Sequence, residues 1–225
     1  MYKIFVTILM LSSVQSSPII LSLIPVECSH QLTTDQESSS WSSFLESGVL
    51  VPVQDNTDHN IKRLKHNLAE LVAIIDFYKD EYTQDTFGEP YNKIDKELEE
   101  LAYPSLILEY SPLPVLSESS LLESYSIFQH LAMSIEVVTA DHEHHQGYTD
   151  KMWRLTSTTV DSILRNIYTE LVMKSISIPA PLTRNIIPDT MRCVSFSSYR
   201  DTRDFLILRH ILQAALTYSA RLEEA

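Results

Sequence analysis

Along four long stretches of this chain the apolar residues recur at alternating steps of four and three, the spacing of one face of an α-helix. The second stretch, residues 120–147, organises the rest. Its stripe is Leu121, Tyr125, Phe128, Ala132, Ile135 and Thr139, and Leu122, Leu131 and Val138 widen it to the breadth of a core-facing bundle helix. Ser120 with Glu123 predicts a capping box, and Gly147 a left-handed stop. Residues 57–84 form the first stretch, with Ile61, Leu64, Leu68, Leu71, Ile75, Tyr78 and Tyr82 in phase and Gly88 and Pro90 ending it. In the third, Met152, Trp153, Val160, Ile163, Leu164, Ile167, Leu171 and Val172 make the face; Thr149 is the expected cap, and Pro179 and Pro181 the stop after about Ser177. The fourth is expected to start near Asp201 or Thr202, with Phe205, Leu208, Ile211, Leu212, Ala215, Ser219 and Leu222 inward. A short helix is expected from Ile94 to Leu101.

Loop lengths turn these elements into a topology. The gap around Gly147 is a few residues, so the second and third helices must be antiparallel neighbours. The connections at 85–119 and 178–198 are each long enough to travel a whole helix length, roughly 40 Å for 25–30 residues. Long, short, long predicts an all-α fold: a long-chain four-helix bundle, up-up-down-down, with two long crossover connections. An up-and-down bundle with insertions is the competing topology. The apolar, proline-marked crossovers look packed rather than looped out, which favours the first.

Composition sharpens the picture. Of 225 residues only three are Gly, and none of the ten Pro lies inside the long periodic segments. A net charge of −13 argues against nucleic acid and against an anionic membrane surface. Residues 1–17 read as a signal peptide, with Lys3 before the apolar run 4–11 and Val14 and Ser16 as small residues before a cut; the competing reading is a buried first helix. Residues 18–56 read as a flexible N-terminal arm, and 57–225 as the helical domain. Secretion makes a Cys28–Cys193 disulfide plausible. The alternative is that Cys28 leaves with the signal and Cys193 stays a lone buried thiol.

No catalytic constellation is visible. His142, His144 and His145 supply at most half a metal site, and a solvated, helix-ending run is the plainer reading; neither a metal nor a cofactor is expected. Tyr199, Arg200 and Arg203 stand where the start of the fourth helix disfavours positive charge, so a partner contact is expected there. Tyr218 and Arg221, three apart, share a face near its end.

Three segments resemble the ciliary neurotrophic factor, cardiotrophin-like and leukaemia inhibitory factor branch of the interleukin-6 family of helical cytokines. PLPVLSESSLLESYSIFQHLAMSIEVV matches a crossover and the helix after it, through Tyr125, Phe128, His130 and Leu131. IYTELVMKSISIPAPL is similar to the end of the family's third helix, and FLILRHILQAALTYSARL to its fourth, with Tyr218 and Arg221 near a Trp/Arg pair. The resemblance implies a secreted ligand that brings receptor chains together and triggers JAK-STAT signalling. Its partners would be the shared signalling receptor of the family, a leukaemia-inhibitory-factor-type receptor, or both. One departure stands out: Asp201 and Asp204 occupy the positions of the family's Phe-x-x-Lys, and only a shifted alignment lets Tyr199 with Thr202 or Arg203 replace them. The competing function is a secreted helical carrier of a lipid or small molecule, which needs a cavity among the helices. Large aliphatic stripes without convergent polar groups favour the cytokine.

Overall fold

The computed structural model describes residues 57–101, 116–146, 150–182, 186–192, 194 and 196–223. The signal peptide, the arm, Cys28, Cys193, Gly147 and most of the first crossover lie outside the described residues. Within them the fold is all-helical, without a strand: α1 (Thr57–Phe87), α2 (Tyr91–Glu97), α3 (Glu118–Gln146), α4 (Lys151–Met173), α5 (Asp189–Arg192) and α6 (Ser197–Glu223). Among the described residues no helix is long and apolar enough to cross a membrane.

The four periodic stretches become the four long helices, and the local chemistry sets where each begins and ends. α1 runs slightly past Gln84 and stops at Gly88, whose φ of 74° fits a residue without a Cβ and whose N–H bonds to the Gln84 carbonyl at 2.9 Å. Pro90 then fixes an extended turn into α2, which spans Tyr91–Glu97 rather than the expected 94–101.

Three caps differ from expectation. α3 starts at Glu118, with Ser117 as its cap: the Ser117 hydroxyl faces the Ser120 N–H at 3.4 Å, and its carbonyl takes the first helical bond. Ser120 is therefore inside the helix and fully buried, and does not cap it. α4 is capped by Asp150, which accepts from the Met152 N–H at 2.7 Å; the expected cap, Thr149, lies outside the described residues. It ends at Met173, well before Pro179. Ser175 adopts φ of 55°, and the Ser175 and Ile176 N–H groups fold back to the Val172 and Leu171 carbonyls. That is a Schellman turn with serine where glycine is usual. α6 begins four residues earlier than Asp201, at Ser197, with the Tyr199 and Arg200 N–H groups both reaching the Phe196 carbonyl.

Packing follows the stripes. Leu68, Leu71, Ile75, Tyr125, Phe128, Leu131, Trp153, Val160, Ile163, Phe205, Leu208 and Ile211 are all but sealed from solvent. α1 lies against α4 and α6, and α3 against the same two. Aromatic side chains mark which ends meet. Tyr82, late in α1, stands edge-on to Trp153 at the start of α4, and Phe87 to Phe205 near the start of α6. Tyr125, early in α3, meets Tyr168 late in α4, and Phe128 meets Tyr218 late in α6. α3 and α6 are buried on more than their stripes: 131–135 and 203–212 are unbroken runs of buried residues. Both helices sit deeper than a one-sided pattern predicts.

Candidate functional site

At the start of α6 the expected patch divides. Phe196 and Tyr199 project outward, 58% and 37% exposed, with ring centroids 6.1 Å apart and edge-on. Arg200 is half-buried and donates to the Val194 carbonyl at 3.2 Å. Arg203 turns the other way. At 2% exposure it is core, which corrects the expectation that folding alone does not need it. Its Nε donates to Asp204 Oδ1 at 2.8 Å, and its Nη1 to Asp141 Oδ2 at 2.7 Å and to the Met191 carbonyl at 2.9 Å. Its reason for opposing the helix dipole is internal: two carboxylates, one from α3 and one from its own helix.

Around that guanidinium lies a charged cluster. His142 Nε2 donates to Asp204 Oδ2 at 3.2 Å, and its ring stands edge-on to Trp153. Burial works against the Arg203 cation, but Asp204 and Asp141 overcome it and hold its pKa above the usual value. Asp201, half-buried beside them, is pushed up to about 6, by burial first and then by the Asp204 charge. Burial, then Asp204 and Asp201, also push the Tyr82 hydroxyl well above its ordinary value. Asp201 and Asp204 thus belong to the interior and its rim. They do not form an outward patch.

The second expected patch is also a packing unit. Tyr218 is 3% exposed and lies against Phe128, and Arg221 is half-buried above the Tyr218 ring, 5.4 Å from its centroid. Arg221 Nη2 donates to the Ser120 hydroxyl at 3.0 Å, so the pair ties the end of α6 to the start of α3. The expected Tyr218–Arg221 surface is not presented as such: its aromatic member is core.

Sequence reading missed Phe196. It lies outside the α6 stripe, and an apolar residue out of phase was the available signal; placing the helix start four residues too late hid it. Phe196, Tyr199 and the rim of Arg200 form the outward aromatic patch that the described residues offer at this end.

Chemistry beyond contact finds little support in the geometry. Among the described residues no group of three or more His, Cys, Asp or Glu could hold a metal. His142 is turned to Asp204, and His144 and His145 are exposed and pack on each other. Between the helices, the space bounded by Leu64, Leu68, Phe128, Ile167 and Tyr218 is a void of about 10 Å³, room for about one water. A larger cleft of about 560 Å³ lies between α2 and α6, lined by Asn92, Asp95, Lys96, Glu99, Arg209 and His210. There Arg209 donates to the Leu98 and Leu101 carbonyls and clasps the end of α2 to α6. Burial lowers the His210 pKa, against a bond to the Leu206 carbonyl.

The chain matches no known protein family, no curated protein and no solved structure.

Proposed function

We propose that this chain is a secreted four-helix cytokine, up-up-down-down, which binds cell-surface receptor ectodomains and brings receptor chains together to trigger JAK-STAT signalling. The observation that carries the reading is the pattern of end contacts. Asn60 at the start of α1 bonds to Asn166 and Glu170 late in α4, while Tyr82 late in α1 meets Trp153 early in α4. The start of α3 likewise meets the ends of α4 and α6. These contacts support one direction for α1 and α3 and the other for α4 and α6, the arrangement that two long crossovers permit. The resemblance to the interleukin-6 family and a leader at residues 1–17 add secretion and the receptor class. Among the described residues the space between the long helices at Leu64, Phe128, Ile167 and Tyr218 holds only about 10 Å³, which supports a receptor ligand over a carrier that buries its cargo between those helices.

The receptor contact is placed on Phe196, Tyr199 and Arg200. Exposed aromatics beside a guanidinium are the residue types that dominate binding hot spots. Receptor ectodomains of the shared and the leukaemia-inhibitory-factor type are expected to be retained by the purified chain, and cells carrying them to phosphorylate STAT proteins in response. Phe196→Ala with Tyr199→Ala is expected to leave melting nearly unchanged and to lower that response at least tenfold, the equivalent of about 1.4 kcal/mol. A double variant that signals like the wild type at limiting dose removes the patch. No retention of any such ectodomain removes the cytokine reading.

A further inference from the structure

The outer face of α1 is basic in its early turns and acidic in its later ones. Lys62, Arg63 and Lys65 are exposed in its first third, and Asp76, Asp80, Glu81 and Asp85 are exposed in its last third. Asp58 in the first turn suits the helix N-terminus, whereas Asp85 near the other end, with no cation in the last turn, is mildly unfavourable there. Between the charged ends the outermost ridge runs through Ala69 and Ala73, both exposed, to Phe77, which at 75% is far more exposed than an isolated surface Leu or Val of this chain. Lys62, His66, Ala69, Ala73, Phe77 and Asp80 follow one another at steps of three and four, so they lie on one line opposite Leu68, Leu71 and Ile75.

That line is self-complementary. Lys62 and Asp80 each stand nine residues from Leu71, and Ala69 and Ala73 each stand two from it. On the flank, Arg63 and Glu81 each stand nine residues from Val72. A twofold axis between the Leu71 and Val72 levels therefore sets Lys62 near Asp80, Arg63 near Glu81 and the small alanines near each other. It also brings Phe77 to the level of His66 of the second copy. Like residues on the same flank meet across such an axis, which is what an isologous contact requires. Asp80 is held in place because it accepts the Tyr91 backbone N–H at 3.1 Å.

We infer that the outer face of α1 is a self-association surface, on which α1 of a second copy of this chain packs antiparallel, with Phe77 buried and Lys62 and Arg63 facing Asp80 and Glu81. An unrelated partner calls for no such symmetry about one level. A single helix face is a small contact, and exposed ion pairs are individually weak and screened by salt. The dimer is therefore concentration-dependent and salt-sensitive.

Sedimentation velocity on the purified chain, over a concentration series at low and at high salt, tests this. The wild type is expected to move from monomer to dimer as concentration rises, with association falling at least tenfold in high salt. Phe77→Ser is expected to weaken association at least tenfold. Lys62→Glu with Arg63→Glu, and separately Asp80→Lys with Glu81→Lys, are each expected to be monomeric alone, while an equimolar mixture of the two dimerises. If the acid-side variant loses helix by circular dichroism, Glu81→Lys alone, which leaves the Asp80 bond intact, takes its place under the same criteria. A wild type that stays monomeric throughout, a charge-reversed variant that associates like the wild type, or folded variants that fail to pair when mixed would each overturn the proposal.

Discussion

Where α1 and α3 begin, the buried polar chemistry is sparse: Asn60 gives one amide to the Asn166 carbonyl and to Glu170, and Arg221 reaches Ser120. Aromatic packing of Tyr125 on Tyr168 and Phe128 on Tyr218 does the rest. Where the same two helices finish, Asp141, His142, Asp201, Arg203 and Asp204 crowd into one cluster under Tyr82 and Trp153. The first end is held by shape and a few neutral or half-exposed polar links. The second is held by charges that cost desolvation to bury and repay it only while every partner is present. Two ends of one helical assembly should therefore respond differently to truncation and to pH.

The largest expected effect is at the charged end. Arg203→Ala leaves Asp204, itself 2% exposed, buried without its cation, and should destabilise by about 3–5 kcal/mol in urea unfolding. A loss below about 1 kcal/mol would mean that the cluster does not hold that end. At the other end, Asn60→Ala removes the donor to the fully buried Glu170 and should cost about 1–3 kcal/mol, measured the same way. If Asn60→Ala costs more than Arg203→Ala, the comparison is reversed.

The smallest effect sharpens the contrast through pH. Asp201 titrates at about 6 in the folded protein against 3.8 in an unfolded chain, so the folded state takes up its proton first. Its contribution to stability is full below 3.8 and is lost as pH rises through about 6. His210 has the opposite sign: burial lowers its pKa below 6.5, so the unfolded chain takes up the proton first and stability falls as pH drops through 6.5. Comparing Asp201→Asn with the wild type cancels the His210 part. The variant should be the more stable of the two at neutral pH, relative to their ranking in acid. That advantage should shrink between about pH 6 and pH 4, followed by melting temperature. A difference that stays flat across that range would remove Asp201 from the cluster.

Much of the framework was legible along the chain. The stripes of α1 and α4, apart from the half-buried Ile61, Tyr78 and Tyr82 and the exposed Val172, and the alternating steps from Leu121 to Ile135 predicted the residues that are buried, because the helical period is a local property of the backbone. Gly88 was legible as a stop for the same reason. The other caps were not: Ser117 and Asp150 had rivals nearby in Ser120 and Thr149, and Ser175, at φ of 55° where glycine is usual, carried no local signal.

The roles of the polar residues were decided by the tertiary structure alone. Arg203 read as a surface cation because nothing within its own helix explained it, and its partner Asp141 lies 62 residues earlier. Tyr218 and Arg221 read as an outward pair because they share a face, yet that face meets Phe128 and Ser120, and Ser120 is 101 residues away from Arg221. Phe196 acquired meaning only once α6 was seen to begin at Ser197. The period of a helix is written in neighbouring residues, so the sequence by itself determined which stretches are helical and which stripe is apolar. Whether a charge or an aromatic faces water or a partner depends on side chains brought from a hundred residues away, and that only the folded chain decides.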